Sequence, residues 1–90
     1  MNFQSALEAA RFSELPIARK GWNGKGMFVY HVPAASYPAQ TGVAKRAFGE
    51  DAKVEYGAYL ALKSADGKVY PWTPSQADQL ADDWEIVTFG

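Results

Sequence analysis

Side-chain catalysis needs a reactive group held by a partner, and this sequence offers few such groups. Its 90 residues contain no cysteine and a single histidine, His31. Thiol nucleophiles, thiolate metal sites and disulfide frameworks are thereby excluded. His31 lies in the strand-like run Phe28-Val29-Tyr30-His31-Val32, where an imidazole is more often a packing or surface group than an acid–base catalyst. Asp82-Asp83 with Glu85 resembles a carboxylate pair, but neighbouring helical positions point apart, so these read as solvent-facing charges or caps. No loop gathers the converging oxygens that a hard cation needs. No catalytic residue, metal or cofactor is expected.

Binding chemistry is better represented. In Arg19-Lys20-Gly21-Trp22-Asn23-Gly24-Lys25-Gly26, three glycines let a backbone approach a ligand and leave N–H groups uncovered. Lys20 and Lys25 add positive charge and Trp22 a flat stacking surface, a combination suited to a nucleotide. The spacing is neither that of the phosphate loop nor that of the dinucleotide fingerprint. A glycine-rich hairpin tip with Trp22 packed inward is the competing account. Thr73 to Asp78 is the second candidate, because the first turn of a helix presents unpaired N–H groups beside Ser75 and Gln76. Thr73 and Gln76 fit a capping box, which leaves Ser75 and Asp78 available to a ligand.

These residues must be positioned by short elements. Phe3, Ala6, Leu7 and Ala10 share one helical face, predicting a helix over 3–12 with Asn2 as its cap and Pro16 barring continuation. Ile17 to Trp22 and Met27 to Val32 predict a hairpin closed by Asn23-Gly24. Residues 33–52, with Pro33, Pro38, Gly42 and Gly49, read as one long loop. Lys53 to Lys63 reads as a strand with a bulge at Gly57, and Asp66-Gly67 as a second hairpin turn leading into Val69 to Trp72. Thr73-Pro74-Ser75-Gln76 starts a helix whose apolar face is Ala77, Leu80, Ala81 and Trp84. Residues 84–89 alternate as a strand. The predicted fold is one α+β domain over 1–90: a small antiparallel sheet with an N-terminal helix and a second helix before the last strand.

Such a chain is 48% hydrophobic and carries a net charge of −1. A near-neutral balance argues against wrapping a nucleic acid polymer, and no apolar run approaches the roughly 18–20 residues that span a bilayer. The sequence from Met1 to Arg11 lacks the pattern of an export signal. Residues 17–53 carry six basic against two acidic side chains, and residues 54–90 two against six. The resulting +4 and −4 halves either attract each other, within or between subunits, or present one face to a small anion. A chain this short buries only about 60–65% of its unfolded surface, so a homo-oligomer is expected.

The segments 18–27, 65–67, 71–72, 75–78 and 80–85 resemble, in order and spacing, the small phage and prophage sponges of the second Thoeris inhibitor family. They read Ala-Arg-Lys-Gly-Trp-Asn-Gly-Lys-Gly-Met, Ala-Asp-Gly, Pro-Trp, Ser-Gln-Ala-Asp and Leu-Ala-Asp-Asp-Trp-Glu. The match covers about Met1 to Tyr30 and Val69 to Val87. It implies a non-enzymatic protein in the cytoplasm of an infected or lysogenic bacterium. There it would bind a cyclic ADP-ribose-type immune signal, glycocyclic ADP-ribose, and keep it from its effector. It further implies a homotetramer with pockets between subunits, and cyclic dinucleotides as ligands at separate sites. Carried over by motif, the pocket residues are Trp22, Asn23, Gly24, Lys25, Ser75, Gln76 and Asp78, with Arg19, Lys20 and Thr73 beside them. Trp22 would stack a base, Lys25, Lys20 or Arg19 would neutralise the pyrophosphate, and Asp78, Gln76 or Asn23 would read ribose hydroxyls or base edges. The link Phe12 to Pro16 and residues 33–52 depart from the family pattern, and Lys45 or Arg46 in the latter could cover the pocket. A protein-interaction module that blocks a host enzyme, and a small nucleotide hydrolase, are the alternatives from other classes.

Overall fold

A computed structural model describes residues 1–89, apart from the side-chain surroundings of Asn23 and Gly24. Helix α1 (Phe3–Phe12) forms where the spacing predicts it, and Asn2 Oδ1 accepts the Ser5 N–H at 2.9 Å to cap it. Ala6 and Ala10 are buried, and their small side chains let the helix sit close upon a sheet. Beyond the last turn Glu14 adopts φ 53°, the left-handed cap conformation that usually selects glycine, while the Leu15 N–H reaches Ala9 O at 3.3 Å. Glu14→Gly is therefore expected to stabilise the fold by about 0.5–1 kcal/mol, the strain relieved exceeding the chain entropy added. Thermal unfolding followed by circular dichroism checks it, an unchanged or lowered midpoint counting against strain at this residue.

The body is a five-stranded antiparallel sheet built from β1 (Ile17–Arg19), β2 (Phe28–Val32), β5 (Tyr59–Lys63), β6 (Val69–Pro71) and β7 (Trp84–Ile86), in the order β6-β5-β2-β1-β7. Ile17 lies opposite both Val29 and Ile86, which puts all three on the face that α1 covers. Ala6, Ala10, Ile17, Val29 and Trp84 form the core there, with Phe3, Trp22, Leu60, Leu62 and Trp72 packed around it. Pro71 is tolerated because β6 is an edge strand. At the predicted Asp66-Gly67 turn, Gly67 takes φ 86° and Asp66 Oδ1 accepts the Lys68 N–H at 2.9 Å.

Several local expectations are corrected. The β1–β2 hairpin exists, but a 3-10 turn, Lys20–Lys25, replaces the tight Asn23-Gly24 closure and shortens the first strand. The final strand ends at Ile86. Residues 33–52 are not one loop: they hold β3 (Ala35–Pro38) and helix α2 (Gly42–Phe48), the latter capped by Thr41 Oγ1 accepting the Ala44 N–H. The run 53–63 is two strands, β4 (Lys53–Tyr56) and β5. β3 and β4 pair as a separate ribbon that keeps the one-for-one register of β2 and β5, from Phe28 opposite Lys63 to Pro38 opposite Lys53. The ladder breaks at Pro33, which has no N–H to donate, opposite the Gly57-Ala58 step. The predicted bulge at Gly57 is thus the point where a long hairpin leaves the sheet.

The second helix, α3 (Gln76–Leu80), starts two residues later than predicted. Ser75, not Thr73, is its cap: Ser75 Oγ accepts the Asp78 N–H and Asp78 Oδ2 accepts the Ser75 N–H, both at 3.0 Å. The Trp72 N–H still donates to Leu60 O at 2.9 Å and holds the chain extended up to that point. Ala77 and Leu80 are exposed, Leu80 at 80%, so the expected apolar face reduces to Ala81 and Trp84.

Candidate functional site

The two sequence blocks singled out for binding meet at the end of β1. From there the half-buried Arg19 guanidinium donates through Nε to Asp83 Oδ1 at 2.9 Å and through Nη1 to Asp78 Oδ1 at 3.2 Å. Hydrogen bonds from Arg19 hold the Asp83 carboxyl below its ordinary range. Burial pushes the Asp78 carboxyl up, but the Ser75 backbone and hydroxyl, with Arg19, outweigh it and leave the carboxyl depressed. Arg19 is raised in turn by its bonds to Asp83 and Asp78. These pairs tie the basic half of the chain to the acidic half within one subunit.

Beside this cluster Trp84 donates its indole N–H to Asp78 O at 2.8 Å. Its ring meets Trp22 edge-on at 5.5 Å and Trp72 at 6.1 Å, and Trp22 meets Trp72 at 6.1 Å. Phe3 closes on the other side of Trp84 at 5.3 Å. Such edge-to-face contacts each contribute about 0.5–1.5 kcal/mol beyond area burial. The Met1 amino group donates to Trp84 O at 2.7 Å, and the Trp84 N–H donates to Met1 O at 3.1 Å. Trp84 is therefore the hub that connects helix α1, the 3-10 turn and the cap of α3.

The predicted site residues divide accordingly. Arg19, Trp22 and Asp78 are gathered around the hub, with Trp22 half-buried: part of its ring packs on the core and part faces outward. Ser75 and Asp78, expected to remain available, are the residues consumed by the capping box, whereas Thr73 and Gln76 stand exposed outside it. Lys20 and Lys25 are exposed at the two ends of the 3-10 turn. Asn23 and Gly24 share its backbone conformation, and their side-chain surroundings lie outside the described residues. Asp83, Trp72 and Trp84 lie in the segments that carry the resemblance but were not carried over as pocket residues. The signal for Asp83 lay in the opposite charges of the two halves, but pairing it with Arg19 required the fold.

The site lies at the surface of the chain. None of the predicted site residues lines the groove of about 320 Å³ on the opposite face of the sheet, between Phe28, Tyr30, Lys63, Val69 and Phe89. Among the described residues no group of three or more His, Asp and Glu is placed to hold a metal ion. No helix among them is long and apolar enough to cross a membrane.

Acid should loosen this region in a defined window. Both carboxyls titrate lower folded than unfolded, so their stabilisation is fully present above the unfolded value near 3.8 and is lost as pH falls through the folded values. Between pH 7 and 5 the unfolding midpoint is expected to show no loss from this cluster, with a decline below about pH 4 that Asp83→Asn reduces. Thermal melts across pH measure it; a decline of equal size in the variant removes Asp83 from the account.

The chain matches the family model described as the Thoeris anti-defense 2-like domain over residues 1–87. It is 37% identical over 89 residues to Thoeris anti-defense 2 of Bacillus phage SP01, an alignment covering 98% of this chain and 96% of that protein. The family match and the aligned stretch both take in the two site blocks and the ribbon between them, and the chain belongs to the Thoeris anti-defense 2-like family.

Proposed function

We infer that this protein counters Thoeris defence by sequestering a cyclic ADP-ribose-type signal, with glycocyclic ADP-ribose as the ligand. The observation that carries this is the convergence of the two separated family motifs on one surface, where Arg19, Trp22 and Asp78 are held together by Trp84. Sequestration asks for tight complementarity and no bond making. The outward part of Trp22 offers a stacking surface, and exposed Lys20 and Lys25 flank it with positive charge for a pyrophosphate. Arg19 acts here as the post that fixes Asp78 and Asp83, and exposed Gln76 and Thr73 are the groups that can turn to a ribose or base edge. An open surface of this kind is completed by a neighbouring copy in a homotetramer, and cyclic dinucleotides belong to separate sites.

Calorimetry with glycocyclic ADP-ribose, followed by recovery of the ligand from heated protein, tests the inference. Heat of binding and release of unchanged ligand are expected. An altered product points to a hydrolase, and no heat at any ligand concentration points to an interaction module that blocks a host enzyme; either outcome removes the sponge. His31→Ala is expected to leave affinity unchanged, because His31, in β2 opposite Leu60, is not one of the groups gathered around Trp84 and Arg19.

A further inference from the structure

The 3-10 turn that carries Trp22 and Lys25 depends on anchors outside itself. Its six residues, Lys20–Lys25, run past the roughly three or four at which such turns usually stop, because 3-10 hydrogen bonds are poorly aligned and side chains three apart eclipse. At its start the Lys20 N–H donates to Asp83 O at 3.1 Å. In its middle the Trp22 ring packs edge-on against Trp72 and Trp84. At its far end the chain leaves through Gly26 at φ 65°, and Gly26 O accepts a hydrogen bond from Lys63 Nζ at 3.1 Å. The first two anchors come from the blocks already described. The third comes from the middle of the sheet.

Lys63 is built for that bond. It is the last residue of β5, where it stands opposite Phe28 on one side and Val69 on the other. The residue is half-buried, and with Phe28, Val69 and Phe89 it walls the groove of about 320 Å³. A stem confined among apolar neighbours has already lost much of its rotamer freedom, so its ammonium holds a carbonyl at little further entropic cost. The last carbonyls of a helical turn lack partners within the turn and form its negative end, which a cation satisfies. Lys63 lies 37 residues from Gly26, outside both motif blocks, and with Lys68 supplies all the basic side chains of the acidic half 54–90.

We propose that Lys63 is a positioning residue of the ligand site, clamping the far end of the 3-10 turn so that Trp22 and Lys25 are in their binding arrangement before a ligand arrives. That role rests on the turn being the ligand surface inferred above. Asp83 and Lys63 then fix the turn from its two ends, the first through the block that pairs with Arg19 and the second through the sheet. A turn this long, held at one end only, is close to balance between assembled and released forms. Apparent affinity falls in proportion to the fraction of molecules in which the site is assembled. The net worth of one hydrogen bond corresponds to roughly two- to tenfold in that equilibrium.

Lys63→Met keeps the stem and removes the donor, whereas Lys63→Arg restores a donor that can reach the same carbonyl. Calorimetry with glycocyclic ADP-ribose is expected to give an affinity roughly two- to tenfold weaker for Lys63→Met and within about twofold of wild type for Lys63→Arg. Without ligand, the amides of 21–27 in Lys63→Met should exchange several-fold faster than in wild type while those of β2 and β5 keep their protection. The near-ultraviolet circular dichroism of the coupled Trp22, Trp72 and Trp84 rings should weaken with them. Should Lys63→Met disturb β5 in the far-ultraviolet spectrum, Lys63→Gln, which stays polar but stops short of Gly26 O, makes the same comparison. Wild-type affinity with unchanged exchange in the turn overturns the clamp and leaves the sponge standing. Weaker binding with unchanged exchange makes Lys63 a contact of the ligand itself and overturns the clamp as well. A wild type that binds no glycocyclic ADP-ribose removes the sponge, and with it the role of Lys63 in binding, while faster exchange of 21–27 in Lys63→Met would still show the turn to be clamped.

Discussion

Trp84→Ala is expected to lower stability by about 3–5 kcal/mol, the range for removing a large aromatic from a core. A domain of this length has roughly 5–13 kcal/mol in total. Trp84 is 1% exposed and is the ring that Phe3, Trp22 and Trp72 share. Its removal leaves a cavity beneath α1 and takes the donor from Asp78 O, whose residue caps α3 and pairs with Arg19. Loss of one bond to a part-buried carbonyl adds about 1 kcal/mol. Urea unfolding followed by circular dichroism should show the variant largely unfolded near the upper end of that range, or with a midpoint lower by roughly 15–35 °C in a melt. Trp84→Phe keeps most of the volume and loses only the indole donor and part of the packing, so a loss of about 1–2 kcal/mol is expected. A loss under about 1 kcal/mol in the alanine variant would show that the hub is elsewhere.

Trp22→Ala is expected to reduce affinity for glycocyclic ADP-ribose by roughly 5- to 150-fold while the assembly keeps its size on gel filtration. Base–aromatic stacking contributes about 1–3 kcal/mol per base, and each 1.4 kcal/mol is tenfold in affinity. Trp22 differs from Trp84 in being half-buried at the rim of the cluster, so its truncation removes an edge of the core rather than its centre. Trp22→Phe retains a stacking ring and should recover most of the affinity. Disassembly of the alanine variant would assign Trp22 to structure and displace the ligand surface from it; unchanged affinity with intact assembly would do the same by another route.

Local chemistry was legible where a side chain acts on its own backbone. Asn2 capping Ser5 three residues on, and Asp66-Gly67 closing a turn, depend on atoms a few residues apart, and both stand where the residue types placed them. The helix start at 73–78 was ambiguous for a physical reason. Thr73 with Gln76 and Ser75 with Asp78 both fit the residue pattern of a capping box, and a cap is a matter of about 1 kcal/mol. Arg19, 59 residues away, pairs with Asp78 and chooses between them. The fate of residues 33–56 was hidden for a related reason. Each strand of the ribbon has only four residues, and its register is inherited from β2 and β5 across the break at Pro33 and Gly57. No period of local sequence encodes that inheritance.

The candidate site divides along the same line. Arg19, Trp22 and a helix start within 73–78 could be named from their residue types, because a cation, an indole and a helix start each have a chemistry that does not depend on neighbours, although the cap itself was misplaced on Thr73. Which of them remain exposed to a ligand was decided by non-local contacts: Arg19 is engaged by two carboxylates, Ser75 and Asp78 by one another, and half of Trp22 by Trp72 and Trp84. By itself the sequence determined the Asn2 cap of α1, the Asp66-Gly67 turn and the two blocks that mark the family. Only the tertiary structure decided which groups those blocks present, because pairing across some sixty residues outweighs the roughly 1 kcal/mol by which local alternatives differ.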